Sequence, residues 1–208
     1  MNKSKEEIFF PLYHGTSSIF LDSIIKSGLG GENIVKKFHI KDMFSQIVHA
    51  FMNQYKDSEW WKKEGFICEK MVNQEVTSSG FNFRHGGVYL TPSFDTAKRY
   101  ATSNKYGSEL ISYFILAYEE LSRYNQELAN IIYPKDHPLR KLLNIEGKPI
   151  VIEILEIQSE NLVTEQGDSI QEQLCLMQQY PQEMWQQNNF ESTKTINSSN
   201  IKIINLSN

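Results

Sequence analysis

Gly86-Gly87-Val88-Tyr89-Leu90-Thr91-Pro92-Ser93, continued by Ala97-Lys98-Arg99-Tyr100-Ala101, is the stretch that decides how this chain of 208 residues folds. Val88 to Thr91 is a run of β-branched and aromatic residues that favours a pleated strand. Pro92 has no N–H to give to a ladder and ends it. Ser93 then stands where a hydroxyl can cap a helix, on which Ala97, Tyr100 and Ala101 share one face at helical spacing. One tyrosine is therefore expected on a strand and another, eleven residues on, along the helix that follows.

Toward the N-terminus, Ile8 to Tyr13 is a short apolar and aromatic run containing Pro11, and predicts a first strand. Leu12-Tyr13-His14-Gly15-Thr16 falls where that strand gives way to a helix. Thr16 or Ser17 can cap this helix, Ile19, Leu21, Ile24 and Ile25 follow helical spacing, and Gly28 closes it. From Glu32 to about Asn73 the pattern is mainly helical, with Phe44, Ile47, Val48, Phe51 and Tyr55 on one face and Trp60 and Trp61 in a charged context. Thr77 to Gly80 breaks it. Toward the C-terminus, residues 108 to 147 predict helices on both sides of a turn at Tyr133 to Pro138. Pro149 to Ile157 alternates and predicts a strand, Gln171 to Gln187 predicts a helix as far as Pro181, and Ile201 to Leu206 predicts the last strand. The class implied is α+β: a single domain over 1–208, with a helical insertion at about 32–80 and a second helical excursion at about 108–147.

Hydrophobic residues make up 40% of the chain and aromatics 12%, enough for a packed core. The net charge of −4 argues against a protein that coats nucleic acid, which needs clustered Lys and Arg. A local basic patch from Lys36-Lys37, Lys62-Lys63 and Arg84 stays compatible with it. The two cysteines, Cys68 and Cys175, lack metal-type spacing, so neither a structural disulfide nor a metal site is expected. Met1 to Glu7 is polar and charged, and no run is long enough to span a bilayer, so the expectation is a cytoplasmic protein without a membrane partner.

Three segments, taken in order, carry a resemblance: Leu12-Tyr13-His14-Gly15-Thr16, then Gly86 to Ser93 with its second tyrosine, then Asn189-Phe190-Glu191. Together they resemble the ADP-ribosyltransferase superfamily, in the His-Tyr-Glu branch that includes diphtheria-toxin-like and poly(ADP-ribose) polymerase-like enzymes. The resemblance runs from residue 12 to about 206 and implies a split mixed β-sheet core that uses NAD⁺ as co-substrate, with no metal. Tyr89 and Tyr100 would sandwich the flat cationic nicotinamide, whose ring is drawn to aromatic faces. Gly15, lacking a Cβ, would let backbone approach the carboxamide. His14 would hold the adenosine-side ribose, and Thr16 belongs to the same NAD⁺-binding turn. Departure of nicotinamide leaves an oxocarbenium-like sugar, which a carboxylate stabilises. The resemblance gives that role to Glu191, with Glu183 and Glu172 as rivals, and counts His14 and Tyr89 with it as catalytic residues. Each tyrosine also has a plain alternative as a core aromatic. Two positions depart from the branch: Ala97 stands where a serine often binds the carboxamide, and Asn189 where arginine-modifying toxins carry Gln or Glu.

The function implied is a mono-ADP-ribosyltransferase acting on a macromolecular acceptor, whether protein, DNA or RNA. Asn189, Trp60 and Trp61 are the acceptor-side candidates, and a toxin or defence role would add an antitoxin as partner. Three alternatives stand beside it. An RNA 2′-phosphotransferase of the same fold would use Arg84-His85 on a phosphate. A bare NAD⁺ glycohydrolase would use water, and an inactive copy of the fold would only bind.

Overall fold

A computed structural model describes residues 8–76 and 82–206; Met1 to Glu7 and the expected break at Thr77 to Gly80 lie outside these described residues. The chain folds as α+β in two compact units. One comprises the chain up to Glu32, Gly87–Gly107 and everything from Gly147; the other comprises Asn33–Gly86 and Ser108–Glu146. The two helical excursions, far apart in sequence, pack together as a unit of their own.

The sheet unit contains two three-stranded antiparallel sheets. In the first, β1 (Leu12–Ser17) pairs with β3 (Pro149–Ile154), which pairs with β6 (Ile201–Asn205). In the second, β5 (Phe190–Ser192) is central, between β2 (Val88–Leu90) and β4 (Leu162–Thr164). The first strand begins later than predicted, because Pro11 cannot donate and the pairing residues of β3 lie opposite Leu12 to Ser17. His14-Gly15-Thr16 is consequently strand and not a turn. Ser17, whose hydroxyl accepts from the Ile19 amide, caps a short 3₁₀ turn that leads into α1 (Leu21–Ser27). Gly28 ends α1 at φ 82°, a conformation that glycine enters without strain.

The sheets share a core, in which Leu12, Ile152 and Ile154 of the first meet Leu90, Phe190 and Leu162 of the second. The other face of the first sheet is covered by α5 (Phe94–Ser103), capped by Ser93 Oγ at 3.1 Å from the Thr96 amide. Closeness is set at Gly15. A Cβ there would lie 2.9 Å from the Ala97 carbonyl carbon, nearer still to its oxygen, and 3.1 Å from the Ala101 nitrogen. Small residues on both sides let helix backbone rest on strand backbone.

In the helical unit, α2 (Ile34–Lys37), α3 (Ile40–Gln54) and α4 (Glu59–Asn73) precede α6 (Glu109–Tyr124), α7 (Gln126–Ile132) and α8 (Pro138–Leu143). The predicted apolar face of α3 packs on α6 through Phe44 and Phe114. The turn after α7 is held by Arg140, whose guanidinium lies 4.0 Å over Tyr133 and donates to the Tyr133 and Pro134 carbonyls. Among the described residues, no helix is long and apolar enough to cross a membrane.

Candidate functional site

Two backbone bonds create the site, Tyr13 N–H to the Thr91 carbonyl at 2.8 Å and Thr91 N–H to the Tyr13 carbonyl at 2.9 Å. They join the edge of β1 to the residue that follows β2, and bring the His14 and Tyr89 segments together. His14 Nδ1 lies 2.8 Å from the Tyr89 carbonyl oxygen. A carbonyl can only accept, so Nδ1 carries the proton and Nε2 of the neutral ring is left as an acceptor. Burial of this ring at the rim of the core holds its pKa below the ordinary histidine value, while the bond to Tyr89 acts in the opposite sense and more weakly. At neutral pH the imidazole is uncharged.

The register also decides where the Gly15 backbone points. Tyr13 spends its N–H and C=O on Thr91, and Ser18 donates to the Lys148 carbonyl. With antiparallel alternation, Leu12, His14 and Thr16 bond to β3, while Gly15 directs both polar groups to the outer edge of β1. One donor and one acceptor therefore lie side by side at that edge, beside the Tyr13–Thr91 bridge.

Strand β5 brings in the third segment. Tyr89 and Glu191 are direct cross-strand partners, and Val163 of β4 is the partner of Glu191 on its other side. Opposite residues of an antiparallel pair share a face. Because Leu90, Phe190 and Leu162 occupy the core face, Tyr89, Glu191 and Val163 lie on the other, half-buried face. The Glu191 carboxylate folds back over Gly87, whose missing Cβ would sit 3.0 Å from its Cδ. Among the described residues, no hydrogen bond or ion pair holds this carboxylate. Its rivals are placed differently: Glu172 is exposed on α9 (Gln171–Met177), and Glu183 is exposed on the 3₁₀ helix Gln182–Gln187. The predicted helix thus stops short of Pro181. The segment after it is pinned by Trp185, whose indole N–H donates to the Met177 carbonyl at 2.9 Å.

The remaining sequence candidates divide. Tyr100 is in the same unit, on α5 next to the Ala101 that abuts Gly15, and 38% of it is exposed. Asn189 is half-buried immediately before β5. Thr16 is buried, with Oγ1 toward the Gly107 carbonyl at 3.4 Å. Gly15 turns its amide and carbonyl to the strand edge, and its bare Cα packs against α5. Trp61 is buried and stacked on Phe51 at 5.3 Å with rings 3° from parallel. Trp60 leans on the same Phe51 and stays half-buried. Ala97 is buried, with its backbone carbonyl against Gly15. The sequence places Gly87 in the motif without a role of its own and does not single out Val163. A glycine directly before a strand was signal enough for the first, but three-residue strands carry no periodicity to reveal the second.

Arg84 and His85 belong to the helical unit. The Arg84 guanidinium Nε donates to Asn82, and His85, its Nε2 buried, has its pKa pushed down to about 4 by burial and by Lys41. Both cysteines are free, Cys68 buried with its thiol pushed up to about 12 and Cys175 exposed. Among the described residues, no group of three His, Cys, Asp or Glu side chains could hold a metal ion. Comparison with protein-family models, with curated proteins and with solved structures finds no match.

Proposed function

We propose that the chain is a mono-ADP-ribosyltransferase with the fold of that superfamily, breaking the bond between nicotinamide N1 and ribose C1′ of NAD⁺ and passing the ADP-ribosyl group to a macromolecule. One observation carries the proposal: Glu191 stands directly opposite Tyr89, while the carbonyl of that same Tyr89 fixes the His14 ring. Three segments separated by some 75 and 100 residues meet at one strand pair, a coincidence that packing alone does not require.

The residues suit the substrate group by group. A primary carboxamide needs one acceptor and one donor side by side, which the outward C=O and N–H of Gly15 supply. Tyr89 and Tyr100 give aromatic surface for the flat cation. His14 Nε2 accepts a ribose hydroxyl hydrogen. As the C1′–N1 bond lengthens, its electron pair goes to nicotinamide, which leaves neutral, and positive charge develops on the ribose. The Glu191 carboxylate stabilises that charge and takes the proton of the incoming nucleophile, whose lone pair forms the new bond to C1′. Asn189 and the half-buried Trp60 stay as candidates for the acceptor side. The phosphotransferase reading gains no support from a buried, neutral His85. The test is incubation of the purified chain with adenylate-labelled NAD⁺ and separated protein, DNA and RNA, following free nicotinamide and retained label. Nicotinamide release with label in one macromolecular fraction is expected. Release without retained label would point to a glycohydrolase, and absence of release would refute the proposal.

A further inference from the structure

We propose that Gly87 is a positioning residue for Glu191, the missing side chain being what allows the carboxylate to lie beside Tyr89. The backbone of Gly87 does not need glycine for its dihedral angles. Gly86, next to it, has a positive φ of 99°, and Gly87 is absent from the glycines that adopt one. What Gly87 provides is room. A Cβ built on it would stand 3.0 Å from Glu191 Cδ and 3.3 Å from Cγ, closer still to Oε1. Separations below 3.0 Å do not persist, so something must move.

What moves distinguishes this glycine from Gly15 and Gly28. At Gly15 a methyl group would strike helix backbone, and at Gly28 it would meet the Ile196 carbonyl. At Gly87 its three nearest neighbours all belong to the flexible Glu191 side chain, the carboxylate foremost. The fold can accept a methyl group here by turning the Glu191 carboxylate aside, at little cost. The penalty falls on the position of one functional group. A misplacement of about 1 Å at a reacting group costs on the order of a hundredfold in rate.

The inference rests on the proposed transfer reaction for one of its two readouts, nicotinamide release; the other, the carboxyl ¹³C resonance of Glu191, is independent of it. The full chain is compared as wild type, Gly87→Ala, Glu191→Gln and the double variant. In Gly87→Ala the Glu191 resonance, assigned by its loss in Glu191→Gln, should move. The melting temperature should stay within about 2 °C and NAD⁺ affinity within about threefold, while turnover falls about a hundredfold. In the Glu191→Gln background, Gly87→Ala should cost nothing further, because the group it displaces has already lost its charge. A merely structural glycine would instead lower turnover and stability in both backgrounds. Gly87→Ala with an unmoved resonance, with wild-type turnover, or with a melting temperature lowered by more than about 5 °C overturns the proposal. If Glu191→Gln itself keeps full turnover, the transferase reading of the site fails, and the resonance alone then decides whether Gly87 sets the place of Glu191.

Discussion

Replacing Gly15 with alanine puts a methyl group where the backbone of α5 already is. The added carbon would lie 2.9 Å from the Ala97 carbonyl carbon and 3.1 Å from the Ala101 nitrogen, against ordinary contacts of 3.4–4 Å. Backbone cannot rotate away as a side chain does, so α5 must back off β1 by roughly an ångström or the strand must bend. Overpacking of this kind typically costs about 1–3 kcal/mol, and a backbone collision belongs at the upper end. For a chain of this size each kcal/mol shifts the melting temperature by about 2–4 °C, so a fall of roughly 6–12 °C is expected. Tyr100 rides on α5 and moves with it, so NAD⁺ affinity should weaken by up to about tenfold, the scale of a lost aromatic contact. Differential scanning fluorimetry and calorimetric titration with NAD⁺ read the two effects. A Gly15→Ala protein that melts within about 1 °C of wild type and binds NAD⁺ normally would refute the packing account and the placement of Tyr100 that follows from it.

Glu191→Gln should leave folding and NAD⁺ affinity nearly unchanged but slow nicotinamide release by about a hundredfold or more; the same change at exposed Glu183 or Glu172 should be mild, and equal losses at all three would sink the assignment. Tyr100→Ala should weaken NAD⁺ binding by about 1–3 kcal/mol without unfolding the chain, as it is partly exposed; unchanged affinity in titration would remove it from the site. His85 has a folded value near 4, below the ordinary 6.5, so the unfolded chain takes up a proton that the folded chain refuses between those values. Its stabilising effect is complete above about pH 6.5 and is lost as pH falls toward 4, at most about 3 kcal/mol; urea melts from pH 7 to 4 should show this slope, and show it reduced in His85→Gln. Trp61→Ala should cost about 3–5 kcal/mol of stability, whereas Trp60→Ala should fold; if Trp60→Ala spares NAD⁺ hydrolysis but lowers transfer, Trp60 contacts the acceptor, and parallel loss of both activities would show that it only packs.

The elements legible in advance were those with enough residues to display a period. The apolar face of α3, the capped α5 after Pro92 and the paired helices beyond Ser108 follow from spacing, because a helix repeats its buried positions every three or four residues. The His14, Tyr89 and Tyr100 segments were singled out by their resemblance to the ADP-ribosyltransferase superfamily. Strands β4 and β5 could not be, since three residues show no alternation, and Glu191 therefore stood without a partner until β5 was paired.

By itself, the sequence determined the α+β class, the helical excursions and the chemical identity of the candidate residues, all of which are local properties of side chains and their spacing. Only the tertiary structure decided which of them meet. The antiparallel register sets Glu191 opposite Tyr89, turns the Gly15 amide and carbonyl outward, and holds His14 as a neutral acceptor on the Tyr89 carbonyl. It also encloses Thr16 and Trp61, leaves Tyr100 partly exposed, and gathers two distant helical stretches into one unit. Such outcomes depend on contacts between residues many tens of positions apart, where pairing and burial act and local spacing carries no information.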